Sequence, residues 1–298
     1  MAPDVEGRGL GCLVGLAIGD AVGTTLEFTR RDARPPLTDM VGGGPFGLAP
    51  GQWTDDTAMA LALAASLIAR PDFNAHDLMQ RFTDWWREGE YSCTGTCFDI
   101  GTTTQQALVR YRETGDPDAG ATDPLSAGNG SLMRLAPVAL LGVAGGDWRR
   151  IAREQSATTH GAAACLDACE HYAALLIEAI QGAGREAVLA PRRVDAMPDI
   201  AAIFACGWRD KERDRIASSG YVVHSLEAAI WCVGRTESFR EAVLLAANLG
   251  DDADTTAAIT GQLAGALYGL SAIPEAWRVR LAWADRIEAV GRQLLGRI

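Results

Sequence analysis

Two stripes of glycine at four-residue spacing, one near each end of the chain, constrain the fold most strongly. They comprise Gly11, Gly15, Gly19 and Gly23 in the first stripe and Gly261, Gly265 and Gly269 in the second. A glycine inside a helix costs about 0.5–1 kcal/mol relative to alanine, so a repeated one needs a compensating contact. Residues four apart share one helix face. We therefore expect two helices whose backbones approach closely in the core, drawing the chain ends into one domain.

The remaining apolar pattern predicts an all-α protein. Apolar residues recur at helical spacing in segments 9–19, 57–69, 77–87, 131–144, 161–181, 225–233, 239–249, 254–270 and 275–295. Asn74 and Ser238 are suitable helix N-caps, and Glu241 can complete a capping box with Ser238. The only β-like run is Tyr221-Val222-Val223. With 298 residues and 48% hydrophobic content, we predict a single compact multi-helix domain over residues 1–298.

Two short acidic clusters stand where apolar helices should begin, far apart in the chain. They read Thr54-Asp55-Asp56-Thr57 and Asp252-Ala253-Asp254-Thr255. Such residues cap helices and complement the helix dipole, so capping is the simpler interpretation of either cluster. However, extra carboxylates within one turn repel each other unless a cation lies between them. An oxygen-only set suits Mg²⁺ or Mn²⁺ rather than zinc, and the pattern leaves capping and metal binding both open.

Two further carboxylates have apolar neighbours on both sides. Glu27 lies between Leu26 and Phe28, and Asp99 between Phe98 and Ile100. An apolar setting raises the pKa of a carboxyl group and suits a general acid or base. The alternatives are a solvated loop acid at Glu27 and a helix cap at Asp99, and local sequence does not separate them.

Other polar residues cluster at predicted helix starts. Gly128-Asn129-Gly130-Ser131 precedes an apolar segment, where converging backbone N–H groups favour anions such as phosphate. A simple turn explains the same residues equally well. His160, before another helix, and Tyr221 are candidates for the site or for hydrogen-bonded structural positions.

Charge and cysteine usage exclude some classes of protein. A net charge of −11 argues against a general nucleic-acid-binding surface. The seven cysteines show no framework spacing, which is typical of reduced thiols in a cytosolic protein. The acidic N-terminus has no apolar core and is not a signal peptide. The uncharged stretch 255–274 carries polar and glycine residues, so we expect a buried helix and no transmembrane segment.

In chain order, these motifs resemble the ADP-ribosylglycohydrolase family over nearly the whole length, from 15–21 to 250–256. The most specific matches are the two acidic clusters, in the family's order and separation. Phe98-Asp99-Ile100-Gly101 and the segment 128–134 resemble the bacterial branch, the dinitrogenase reductase-activating glycohydrolases. No metal position departs from the family's pattern.

The resemblance implies an all-α domain with a dimetal cleft. It assigns a pair of divalent cations, Mn²⁺ or Mg²⁺, to Thr54, Asp55, Asp56, Asp252, Asp254 and Thr255. It makes Asp99 and Glu27 candidate general acid/base groups, in an order left open, with direct attack and attack through a ring-opened ribose both compatible. The implied substrate contacts are Asn129, Gly130, Ser131, His160, Tyr221 and Gly101.

The resemblance also implies an activity and partners. The reaction is hydrolysis of the N-glycosidic link between ADP-ribose and an arginine of a target protein, in this branch the nitrogenase iron protein. PII signalling proteins and a membrane ammonium channel sequester such enzymes, so we expect a cytoplasmic protein with reversible membrane association through a partner. The alternatives are hydrolysis of serine-linked ADP-ribose or of O-acetyl-ADP-ribose, an ADP-ribose-binding regulator without turnover, and a crystallin-like structural relative. A crystallin-like protein is expected to lose the metal carboxylates, and all four are present here.

Overall fold

Helices α1 (Val5–Gly23) and α12 (Ala253–Tyr268) lie against each other at the centre of the computed structural model, which describes residues 4–296. Residues 9–23 of α1 and 253–267 of α12 are all buried. A Cβ on Gly15 would collide with the carbonyl oxygen of Gly261, and one on Gly261 would collide with that of Gly15. The predicted close approach of the two glycine faces is confirmed, and it joins the two ends of the chain.

The described residues form fourteen α-helices and no β-strand. Besides α1 and α12 these are α2 (Asp55–Ala69), α3 (Ala75–Glu88), α4 (Thr102–Thr114), α5 (Ala136–Val143), α6 (Trp148–Ala157), α7 (Ala163–Ile180), α8 (Arg185–Val188), α9 (Pro198–Phe204), α10 (Val222–Arg235), α11 (Phe239–Ala247), α13 (Glu275–Arg280) and α14 (Ala284–Leu295). Helices α7, α10 and α11 contact α12, while α2 and α14 contact α1. The all-α prediction is confirmed, and one hydrophobic core unites the helices.

Several boundaries differ from the periodic segments. Segment 131–144 becomes helical only at Ala136, because Pro137 lacks the N–H that a helix begun at 131 needs, whereas it fits the first turn of α5. Segment 275–295 is two helices, separated at Trp283, whose φ of 60° is left-handed. The β-like interpretation of residues 221–223 is wrong, since Val222 begins α10. Helix α6 was not predicted because most of its residues are polar or charged.

Both predicted caps are present. Asn74 Oδ1 accepts a hydrogen bond from the Asp77 backbone N–H at 2.9 Å, and Ser238 Oγ accepts one from that of Glu241 at 3.2 Å. The return bond of the capping box is displaced by one residue, because the Glu241 carboxylate accepts from the N–H of Glu237 instead.

Helix α1 and the 3-10 turn after it form one span, Val5–Leu26, that is long and apolar enough to cross a membrane. Within the protein, 94% of its apolar window is buried. The apolarity of this span is therefore explained by its place in the core, where it packs on α12 and neighbouring helices.

Gly15→Ala will destabilise the fold by about 1–3 kcal/mol or more, because the added methyl group forces α1 away from α12. Urea unfolding of the variant and the parent protein measures the loss. Gly184→Ala is the control, since a Cβ there meets nothing within 4 Å and the backbone is not left-handed. Equal stability of the Gly15 variant and the parent protein would contradict the contact.

Candidate metal centre and cleft

The start of α2 is not capped by its own residues. Thr54, the N-cap residue, makes no side-chain capping bond. Instead Asp20, from α1, receives hydrogen bonds at Oδ1 from the N–H and hydroxyl of Thr54, each at 2.9 Å. Its Oδ2 receives bonds from the N–H of Thr57 at 3.0 Å and its hydroxyl at 2.6 Å. Asp20 therefore fixes this helix start and leaves Asp55 and Asp56 free of a capping role.

Helix α12 begins in the same way. Asp252, at its N-cap position, makes no side-chain capping bond. Glu27 Oε2 accepts from the N–H groups of Ala253 at 2.7 Å and Asp254 at 3.3 Å. The capping interpretation of the two acidic clusters is thus wrong in detail, because residues from outside each cluster accept the N–H groups named above, although Asp254 Oδ1 accepts the N–H of Thr255 at 2.7 Å.

The two helix starts meet, and their carboxylates form two overlapping groups. Oxygens of Asp20, Asp56 and Asp254 lie within 4.8 Å of one another, and so do oxygens of Glu27, Asp252 and Asp254. Asp254 belongs to both groups. This convergence of remote segments is the arrangement that a pair of cations requires.

The polar atoms of the cluster fit a divalent cation. Asp56 Oδ1 is buried without a hydrogen-bond partner. The Thr54 hydroxyl lies 2.9, 3.2 and 3.4 Å from carboxylate oxygens of Asp20, Asp254 and Asp56, yet it has one proton to donate. The Thr255 hydroxyl adds an oxygen 3.5 Å from Asp56 Oδ2. An all-oxygen set with unsatisfied acceptors suits a hard cation such as Mg²⁺ or Mn²⁺.

The electrostatics of the metal-free cluster point the same way. Burial, followed by the charge of Asp254, raises the pKa of Asp20 and that of Asp252 to about 7. Burial and neighbouring carboxylates also raise the pKa values of Asp55 and Asp56 well above the ordinary value. These shifts mean that ionising neighbouring carboxyl groups costs free energy in the metal-free fold, and a bound cation would offset that cost.

A cleft of about 630 Å³ opens above the cluster. Its lining includes Glu27, Asp55, Asp252, Asp254 and Thr255, whereas Thr54 and Asp56 are buried and do not line it. Asp99 also lines the cleft, and its backbone is left-handed, with a φ of 58°. Burial, followed by the charge of Asp55, raises the pKa of Asp99 to about 11. Burial and Asp254 raise the pKa of Glu27 to about 12.

Four of the six substrate-binding candidates line this cleft. They are Gly101, Asn129, Gly130 and His160. Asn129 belongs to the segment 128–131, which we call the glycine loop. It donates from Nδ2 to Asp252 at 2.6 Å, and this bond connects the glycine loop to the carboxylates.

The other two candidates lie elsewhere. Ser131 is fully buried and accepts a hydrogen bond from the Ser156 hydroxyl at 2.8 Å, so it supports the loop from behind. Tyr221 is outside the lining, with its ring edge-on to His224 at 5.1 Å.

Comparison with known proteins agrees with this geometry. A family model described as ADP-ribosylglycohydrolase matches residues 1–298. The chain belongs to the ADP-ribosylglycohydrolase family. A solved ADP-ribosylglycohydrolase-related protein complex has the same fold, with a TM-score of 0.88, 42% identity and 99% coverage of each chain.

Three curated relatives within the ADP-ribosylglycohydrolases are informative. The chain is 47% identical to ADP-ribosylarginine hydrolase Tri1 of Pseudomonas putida, covering 97% of this chain and 78% of that protein. It is 45% identical to the protein of the same name from Serratia proteamaculans, covering 95% and 78%. The ADP-ribosyl-[dinitrogen reductase] glycohydrolase of Rhodospirillum rubrum is 33% identical, covering 94% and 92%. The arginine hydrolases are thus more similar than the nitrogenase-linked enzyme.

One residue of this ADP-ribosylglycohydrolase site escaped the sequence argument. Asp20 was not among the predicted ligands, although it is fully buried within the cluster. The available signal was an acidic residue within an otherwise apolar, glycine-striped helix, where an unpaired charge is costly.

Proposed function

We propose that this chain hydrolyses the N-glycosidic bond between ADP-ribose and an arginine side chain of a protein, with divalent cations held in the carboxylate cluster. The observation that carries the proposal is the meeting of the α2 and α12 carboxylates around Asp254 beneath a 630 Å³ cleft. The choice of arginine is supported by the 47% and 45% identical relatives named as ADP-ribosylarginine hydrolases.

The proposed cation ligands are the six residues of the two clusters, namely Thr54, Asp55, Asp56, Asp252, Asp254 and Thr255. Mn²⁺ and Mg²⁺ are the candidates because every donor is an oxygen. When bound, such cations polarise ribose hydroxyls and lower the pKa of a coordinated water. Asp20 then orders the α2 start that presents Asp55 and Asp56.

Asp99 and Glu27 have different roles in this proposal. Glu27 Oε2 already accepts two backbone N–H groups, so this residue mainly holds the start of α12 in place. Asp99 faces the cleft, and its carboxyl group shares a hydrogen bond with Asp254. We assign Asp99 as the group that exchanges a proton with the leaving guanidine or the attacking water, since bond cleavage at a ribosyl carbon requires both transfers.

The test is release of free ADP-ribose from an arginine-ADP-ribosylated protein, assayed with Mn²⁺, with Mg²⁺ and with a chelator. We expect release from the arginine-linked substrate with a cation and none with the chelator. Serine-linked ADP-ribose and O-acetyl-ADP-ribose are the comparison substrates. Release from the serine-linked substrate alone, or full activity with the chelator, contradicts the proposal.

The nitrogenase iron protein is the narrower target within this proposal, supported by the 33% identical relative named for dinitrogen reductase. Running the same assay with ADP-ribosylated iron protein beside an unrelated arginine-modified protein separates a dedicated enzyme from a general one. PII proteins, the ammonium channel and a cytoplasmic location with reversible membrane association stay predictions from the family resemblance.

A further inference from the structure

A buried, positively charged arginine lies behind the glycine loop of the cleft. Arg134 is fully buried, and no ion pair within residues 4–296 involves it. Its N–H groups donate to the side chain of Gln155 at 2.9 Å, the Gln155 carbonyl at 2.7 Å, the Gly130 carbonyl at 3.3 Å and the Thr159 hydroxyl at 3.0 Å. Its guanidinium also lies 4.6 Å from the centre of the Phe82 ring. Burial lowers the pKa of Arg134 to about 9, so the charge persists at neutral pH.

The Thr159 hydroxyl connects this cation to His160. Its oxygen lies 2.8 Å from Nδ1 of His160. Arg134 has no acceptor atom, so the Thr159 oxygen must accept from it. Within the part of the chain that the structure describes, the one hydroxyl proton then has a single neighbouring acceptor, Nδ1. If Nδ1 carried a proton instead, two donors would point at the Thr159 oxygen and its own buried proton would have no partner.

His160 lines the cleft although it is only 2% exposed, and its Nε2 edge lies beside Gly128 and Gly130, which line the cleft as well. A Cβ on Gly130 would lie 2.7 Å from Cε1 and 3.1 Å from Nε2, and one on Gly128 would lie 3.2 Å from Nε2. The two glycines therefore make room for the imidazole edge. Among the described residues no group accepts a hydrogen bond from Nε2. Burial and the charge of Arg134 lower the pKa of His160 to about 3, which keeps the ring neutral.

We propose that Arg134 and Thr159 are positioning residues that hold His160 in its Nε2–H tautomer, so that His160 donates a hydrogen bond to an oxygen of ADP-ribose in the cleft. The assignment of the ligand rests on the proposed function. The tautomer rests only on the hydrogen bonds among Arg134, Thr159 and His160. His160 is thus a fixed donor that selects an acceptor atom, with no role in proton transfer.

Nitrogen NMR of protein labelled at its four histidines tests the tautomer directly. The protonated and bare ring nitrogens have well-separated shifts, and His160→Gln identifies the His160 signals by their loss. We expect a proton on Nε2 and a bare Nδ1 in the parent protein and in Thr159→Ser, which keeps the hydroxyl. Thr159→Val, of nearly equal shape, will populate the other tautomer. A proton on Nδ1 of the parent protein overturns the proposal whether or not the variants fold.

Binding of ADP-ribose, measured by calorimetry on the same proteins, tests the donor role. Loss of one well-placed hydrogen bond predicts a Kd about tenfold higher for Thr159→Val, with recovery in Thr159→Ser. Parent-like affinity in Thr159→Val overturns the donor role. If the parent protein shows the expected tautomer but binds no ADP-ribose, the proposed function and the ligand assignment fail while the tautomer stands.

Discussion

Asp254→Asn will abolish cation-dependent release of ADP-ribose and will make the metal-free protein more stable. Asp254 is the one carboxylate that belongs to both groups in the cluster, so its loss damages both cation positions. Its charge also contributes to the raised pKa values of Asp20, Asp55, Asp56 and Asp252. Removing that charge relieves repulsion that no cation offsets in the metal-free state.

Thermal unfolding with a chelator measures the metal-free stability, and unfolding with increasing Mn²⁺ measures cation binding. A cation at a hundred times its Kd stabilises the parent protein by about 2.7 kcal/mol, and the variant should gain almost nothing. Asp285→Asn is the matched control, because Asp285 is an exposed carboxylate in the first turn of α14 and belongs to neither group. A stabilising response to Mn²⁺ in Asp254→Asn would mean that cations bind without Asp254. Lower metal-free stability of the variant would mean that Asp254 stabilises the fold.

The pH dependence of the same variant follows from the sign of the shifts. Asp20 has a folded-state pKa of about 7, above the ordinary value of 3.8, so the folded protein binds this proton more tightly than the unfolded chain does. Its contribution to stability is full below pH 3.8 and is lost as the pH rises through about 7. Asp254→Asn removes one cause of the shift, so its metal-free stability will fall less steeply over this range.

The features that could be read from sequence have local causes. A glycine at every fourth position has few explanations other than a close helix contact, and the structure places Gly15 against Gly261. Likewise, Asp55 beside Asp56 in one helical turn is unfavourable without a partner. The sequence therefore predicted both long-range contacts, one between the glycine stripes and one between the acidic clusters, but not the residues outside these motifs that hold the helix starts.

The missing members depend on contacts that no local pattern records. Asp20 binds the start of α2 across 34 residues, and Glu27 caps α12 across 226. Ser131 illustrates the converse, since its place in the glycine loop suggested ligand contact although its hydroxyl faces the interior. The backbone conformation of a turn decides which side chains face a cleft, and sequence spacing alone does not determine that conformation.

Asp99→Asn will retain cation binding and lower kcat by about 10²–10⁴-fold, the range expected for loss of a general acid or base. Asparagine is the suitable replacement because it has nearly the same shape and tolerates the left-handed backbone that Asp99 adopts. The carboxyl group faces the cleft, shares a hydrogen bond with Asp254 and lies outside both cation groups. The variant therefore removes a transferable proton while leaving the cluster intact.

Three measurements on Asp99→Asn separate proton transfer from structure: the Mn²⁺-induced rise in melting temperature, the Kd for ADP-ribose and kcat with the arginine-linked substrate. We expect the first two to match the parent protein and only kcat to fall. Asp32→Asn is the control, because Asp32 has the same left-handed backbone, with φ of 58°, but is exposed and paired with Arg213 outside the cleft. Its kcat should be unchanged. Normal turnover in Asp99→Asn would transfer the acid/base role to Glu27, which also lines the cleft and whose two backbone hydrogen bonds are both to Oε2.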